Sequence, residues 1–227
     1  MIRSRTIRDL WASLIGRITG ARARHRAAVD ASFDAALAAL KPGDLAIDLG
    51  ANVGLFTARM AATGADVVAF EPDPHAFALL SARVGRLPNV TLIAAAAGDK
   101  AGSLTLFRHQ DFDRKPDQRT KSSSIIPGKH KMDAAHGVTV EVIDFTAWLA
   151  QQNRPVALLK IDIEGAEVAL LERLLAAPQA DLVAQAFVET HERVIPQLRA
   201  RTMALKAMSE ARRAAGQTRP GINWDWQ

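Results

Sequence analysis

Asp48-Leu49-Gly50-Ala51-Asn52-Val53-Gly54 is the stretch on which the reading of the fold turns. The apolar run Leu45-Ala46-Ile47 leads into it, and the helix-forming run Leu55 to Ala62 leads out. This is a strand, a tight turn and a helix. Gly50 allows the backbone to turn where a side chain would clash. Gly54 lets the helix pack close to its strand, or lets a ligand approach. The free N–H groups of the helix start face the turn and favour electron-rich ligand groups. A second apolar run, Asp66-Val67-Val68-Ala69-Phe70, reads as the next parallel strand and ends on Glu71, 23 positions after Asp48. At that spacing an acid at the tip of the second strand meets ribose hydroxyls. Together these features predict a nucleoside-cofactor site on a doubly wound α/β sheet.

Composition bounds the alternatives. The 227 residues, 48% of them apolar, suffice for one α/β domain with a substantial core. No cysteine is present, which excludes disulfides, a cysteine-ligated zinc and a thiol nucleophile. No apolar run reaches the roughly 18 residues of a membrane span, and no signal-peptide core follows the N-terminal charges. A cytoplasmic enzyme is the expectation. The net charge of +5 is uneven: residues 1–26 carry seven arginines against the single acid Asp9. Ile7, Leu10, Trp11, Leu14, Ile15 and Ile18 recur there at helical spacing. The expectation is an amphipathic helix packed on the main domain, with contact to an acidic membrane surface, a nucleic acid or another subunit as alternatives. A second helix is expected over 27–40, ended by Pro42-Gly43-Asp44. The chain thus divides into an N-terminal helical segment, 1–42, and a catalytic domain, 43–227.

Beyond Glu71, Pro72-Asp73-Pro74 turns into a helix over 75–86, with Asp73 as its cap. Residues 89–94 read as the third strand. Ala95-Ala96-Ala97-Gly98-Asp99 follows, where small residues leave room for a flat adenine ring. Asp99 either reads that ring's amino group or closes the turn around Gly98 and Gly102. Strands are expected over 103–107 and 138–142, with a polar loop, 108–137, between them as a lid on the substrate side. A helix over 143–151 comes next. Val156 to Ile161 is a buried parallel strand by its continuous apolar run, and Leu182 to Val188 is a fifth. Both end in acids, Asp162 and Glu164 after the first and Glu189 with His191 after the second. Those positions face the crevice where doubly wound sheets bind ligands. A basic helix over 196–214 and a short terminal strand over 222–226 complete the chain.

The three motifs Asp48 to Gly54, Phe70-Glu71-Pro72-Asp73 and Lys160-Ile161-Asp162-Ile163-Glu164-Gly165-Ala166-Glu167, with the later Glu189-Thr190-His191, resemble the FkbM family of S-adenosylmethionine-dependent methyltransferases. The resemblance spans about 45–191. It implies a class I methyltransferase sheet, S-adenosylmethionine as cofactor, and transfer most often to a hydroxyl oxygen of a sugar or other small molecule. Asn52 stands where a common methyltransferase pattern has glycine. The short chain after 191 predicts a reduced antiparallel edge.

In that setting Glu71 would hold the ribose, with Pro72 beside it. Asp48, Gly50 and Asn52 would line the methionine end, Gly54 the close approach, and Ala97 and Asp99 the adenine end. Asp162 would reach both the reacting methyl and the acceptor. Asp162, Glu164, Glu189 and His191 are candidates for the proton-accepting base or, as an alternative, for a Mg²⁺ site. The metal-free route is favoured, since no ligand set lies on one short motif, and no metal ligand is assigned. His191 has an equal reading as a structural residue, and Glu164 and Glu167 as caps of the following helix. Lys160 is expected to orient a carboxylate. Two other classes stand beside the methyltransferase: a nicotinamide oxidoreductase, weakened by the absence of tyrosine, and a non-catalytic scaffold working through its basic helix. The expected partner is a small-molecule acceptor. No aromatic–basic array points to nucleic acid.

Overall fold

The computed structural model describes residues 27–28, 30–109, 132–224 and 226. The basic stretch 1–26 and the centre of the expected lid lie outside the described residues.

Alternation of apolar strands with amphipathic helices builds a single parallel sheet. Its strands are β1 (Leu45–Leu49), β2 (Asp66–Phe70), β3 (Val90–Ile93), β7 (Val156–Ile161), β8 (Val183–Val188) and β9 (Gly221–Trp224). They lie in the order β3-β2-β1-β7-β8-β9, and every neighbouring pair is parallel. The chain first winds outward through β2 and β3, then returns to place β7 on the other side of β1. That reversal opens a crevice above the carboxyl ends of β1 and β7. The sheet is the doubly wound class I methyltransferase arrangement expected from the sequence. Its far edge differs from a hairpin: one parallel strand, β9, pairs with β8. Trp226, just beyond it, is buried and donates its backbone N–H to Val188.

Both faces are covered, so β1 is buried along its whole length. On one face lie α1 (residues 30–39), α2 (Leu55–Ala61) and α3 (Pro74–Val84). On the other lie α4 (Phe145–Gln152), α5 (Glu167–Leu175) and α6 (Arg199–Ala214). Side chains alternate along each strand. Leu45, Ile47 and Leu49 thus meet Leu170, Leu171 and Leu174 of α5, while Ala46 meets the other layer. That second layer joins Phe33 and Leu37 of α1 to Met60, Phe187 and Trp226. Phe33 sits edge-on to Phe187 at 5.1 Å and to Phe56 at 5.5 Å. Each such buried side chain contributes on the order of 1.5–3 kcal/mol. α1, on the N-terminal side of residue 42, thus completes the core of the domain that follows it.

A second sheet, of order β4-β6-β5, stands beside the first. It consists of β4 (Ala96–Gly98), β5 (Gly102–His109) and β6 (Met132–Asp144). The hairpin strands run further than the expected 103–107 and 138–142, so the connection between them is 110–131 rather than 108–137. Ala96–Gly98, in the small-residue stretch after the third strand, pairs in parallel with Val142–Asp144.

Candidate active site

The turn after β1 is fixed by the end of β2. Gly50 and Ala51 donate their N–H groups to the Phe70 carbonyl at 3.0 and 2.9 Å. Asn52, at φ 50, donates its N–H to Glu71 Oε2, and Asp73 donates its own to Glu71 Oε1, both at 2.8 Å. The Glu71 carboxylate is thus aimed by two backbone groups on either side of it. Burial pushes its pKa up to about 7, against the pull of those two donors. Asp73 caps α3 through His75 N–H at 2.8 Å.

Gly50 and Gly54 are required for reasons of packing. A Cβ on Gly50 would lie 1.8 Å from the Asp162 carbonyl oxygen, so the turn passes against the exit of β7. A Cβ on Gly54 would lie 2.7 Å from Leu80 Cδ1, so this residue serves the approach of α2 to α3. Both have φ near +80, which glycine adopts without strain.

The crevice holds a cavity of about 260 Å³. Of the residues expected at the cofactor, Gly50, Asn52, Glu71, Pro72, Ala97, Asp99 and Asp162 line it. Asp48 and Gly54 do not. Asp48 is fully buried behind the wall. Its Oδ1 accepts from Lys160 Nζ at 2.9 Å and its Oδ2 from Thr57 Oγ1 at 2.7 Å. The expectation that Asp48 lines the methionine end is corrected: its carboxylate is committed to Lys160. Lys160 also donates to the Gly50 carbonyl at 3.0 Å and stands 3.9 Å from Asp162 Oδ2. Burial draws its pKa down, but Asp48 and Asp162 outweigh that and raise it. The lysine therefore stays charged, between the rings of Phe56 and Trp226 at 5.5 and 5.8 Å.

At the other end of the cavity, Asp162, Glu164 and Glu189 line the wall and His191 does not. Glu164, at φ 55, and Gly165, at φ 111, turn the chain from β7 towards α5. Glu167, fully buried, accepts from Gly165 N–H at 2.7 Å and from His191 N–H at 3.1 Å. It clamps the loop after β7 to the loop after β8. His191 Nδ1 lies 3.3 Å from the same Glu167 oxygen, and Nε2 lies 3.6 Å from Glu164 Oε2. Burial draws the imidazole pKa down, but the Glu167 hydrogen bond and the charges of Glu167, Glu164 and Asp162 raise it to about 9. The ring is thus held between Glu167 and Glu164, with Nε2 on the side of the cavity-lining carboxylates. Of the four candidate bases, His191 alone does not line the cavity. Burial, with Asp162 next, pushes Glu189 up to about 7. Among the described residues no hydrogen bond reaches its carboxylate.

Leu104, Leu106 and Val142 of the hairpin also line the cavity, as does Phe56. The sequence reading left these out. The alternation of Leu104 and Leu106 marked an apolar face, but only the pairing of β5 with β6 turns it over the crevice.

A doubly wound sheet with this crevice, an acid held at the tip of β2 and acids after β7 and β8 is that of a class I methyltransferase. The match to the methyltransferase FkbM domain over residues 48–205 makes the relation specific, and the chain belongs to that family. It is similar to the hexuronic acid methyltransferase AglP of Haloferax volcanii, with 29% identity over 154 residues, 67% of this chain and 58% of that protein. It is also similar to ribosomal RNA small subunit methyltransferase A of Thermotoga neapolitana, with 42% identity over 53 residues, 23% of this chain and 20% of that protein. The chain thus spans less than two thirds of these relatives. No solved structure gives a significant match. Among the described residues, no helix is long and apolar enough to cross a membrane.

Proposed function

We propose that the crevice binds S-adenosylmethionine and that the protein methylates a hydroxyl oxygen of a small molecule or sugar. The observation that carries this is the Glu71 carboxylate, held by two backbone N–H groups at the tip of β2 with its remaining lone pairs available to a diol. The rest of the cavity fits the same ligand. Among the described residues Asn52 Oδ1 is buried without a partner, an acceptor suited to an ammonium group. Ala97 and Gly98 give a wall without bulk for a flat ring. Asp162 and Glu189 bring negative charge to the end where a sulfonium would lie. The hexuronic acid relative favours a sugar-like acceptor.

The cofactor, when bound, supplies a methyl carbon already activated by the sulfonium. The protein's part is alignment of the acceptor oxygen and acceptance of its proton. Glu189 is the residue for that proton, since it lines the cavity and its carboxylate receives no hydrogen bond from the described residues. Asp162, held by Lys160, orients the acceptor. Apolar Leu104, Leu106 and Val142 keep water from the roof.

Calorimetry tests the binding. S-adenosylmethionine should bind and nicotinamide dinucleotide should not. Glu71→Ala should lose about 1.5–3 kcal/mol, the range for hydrogen bonds to a charged group. Unchanged affinity in that variant would remove the ribose assignment. Transfer of labelled methyl to a panel of sugars tests the acceptor class.

A further inference from the structure

The loops leaving β7 and β8 bring Asp162, Glu164 and His191 together, each with one ligand atom within 4.8 Å of the others. His191 is only 7% exposed. Its orientation is set from behind: Glu167 Oε1 receives the backbone N–H and faces Nδ1. With the Nδ1 hydrogen directed at that carboxylate, the far nitrogen, Nε2, faces the Asp162–Glu164 side. Glu164 Oε2 stands 3.6 Å from it, beyond hydrogen-bond distance. A buried carboxylate behind a histidine whose other nitrogen meets further carboxylates is how proteins aim an imidazole at a metal ion.

We propose that Asp162, Glu164 and His191 bind one divalent cation at the mouth of the crevice, with Glu167 as the outer partner that orients His191.

The charge balance of this corner favours it. Asp162, Glu164, Glu167 and Glu189 gather here, four carboxylates against Lys160, which is bonded to Asp48 at 2.9 Å and stands 3.9 Å from Asp162. The donor set also selects the ion. One imidazole nitrogen and two carboxylates suit Mn²⁺ or Zn²⁺, whereas Mg²⁺ and Ca²⁺ take oxygen donors. Ligand atoms lie ~2.0–2.2 Å from such an ion, so the two loops close on it by on the order of 1 Å. Asp162 and Glu164 line the cavity, which leaves the ion's open positions directed at an acceptor. The cation site rests on the geometry of the two loops and stands whether or not the crevice transfers a methyl group.

The test uses the full chain, stripped with EDTA and free of cofactor and acceptor. Mn²⁺ is titrated in and the free ion is counted by electron paramagnetic resonance, with calorimetry for Zn²⁺ and Mg²⁺. The expected result is one Mn²⁺ per chain, not displaced by a large excess of Mg²⁺. His191→Ala and Asp162→Asn should each weaken binding at least tenfold, and Glu167→Gln by about 10–100-fold. Glu172→Gln, which alters an exposed pair with Arg201, should leave it unchanged. No saturable binding, several weak equivalent ions, displacement by Mg²⁺, or equal affinity in His191→Ala and Asp162→Asn would overturn the proposal. If Glu167→Gln fails to fold, those two variants decide. S-adenosylmethionine binding to the stripped protein, measured separately, tells failure here from failure of the methyltransferase reading.

Discussion

At the β1–β2 end of the crevice the contacts that hold Glu71 and the turn are short in sequence: Asn52 and Asp73 hold Glu71, and Phe70 holds Gly50 and Ala51, no pair more than 20 residues apart. At the β7–β8 end one local contact, Gly165 to Glu167, stands beside longer ones. Glu167 meets His191 24 residues away, and Lys160 meets Asp48 112 residues away. The first end uses backbone donors, which the turn fixes once it forms. The second also has backbone donors on Glu167 but adds side-chain charges, Lys160 with Asp48 and Asp162, and His191 with Glu167, which depend on both loops being in place. The difference predicts a preformed cofactor cradle beside an acceptor end whose geometry responds to charge. The Lys160–Asp48 pair ties the two ends together.

That tie is the place to break the comparison most severely. Asp48→Ala strips a buried lysine of its hydrogen-bonded partner and should cost about 3–5 kcal/mol, read by chemical denaturation. A loss below about 1 kcal/mol would mean that Asp162 takes over the pairing, and that the two ends are independent.

Titration of Glu71 sharpens the contrast with a smaller effect. Its folded pKa, about 7, lies above the ordinary 4.5. The folded state therefore holds this proton more tightly than the unfolded chain does. The resulting stability is complete below pH 4.5 and is lost as pH rises through about 7. Ribose hydroxyls donate best to the ionised form, so cofactor affinity should rise over the same window. Stability and affinity should move in opposite directions, and Glu71→Gln should flatten both. The same slopes in that variant would assign them to another group.

The smallest expected effect lies wholly within the local end. Asp73→Ala removes the α3 cap and should cost about 1 kcal/mol, leaving any metal affinity unchanged. A change in Mn²⁺ binding would show that the two ends communicate without Asp48.

The contrast also explains what was readable in advance. β2 was expected at Asp66–Phe70 and is found there. Glu71 was picked out as the cofactor acid, and it lines the cavity. Both follow from periodicity and a short turn. Asp48 belongs to the same motif, yet its side chain points at Lys160, and no spacing within the motif reveals that. The preference for a metal-free route rests on the lack of a ligand set on one segment; the set proposed above divides between two loops. His191 was legible as a residue near the acids but not as a ring braced by Glu167.

The alternation of strands and helices, the glycine turn and the acids at three strand tips are legible from the residues alone. Those are set by local backbone hydrogen bonding and by which faces are apolar. Folding is needed to see that Leu104, Leu106 and Val142 roof the crevice, that β9 runs parallel at the edge, and that α1 closes the core. It likewise decided that Gly50 yields to the Asp162 carbonyl and that Lys160, Asp48 and His191 find their partners. These contacts join residues far apart in the chain, and their geometry exists only once the sheet has brought its strand ends together.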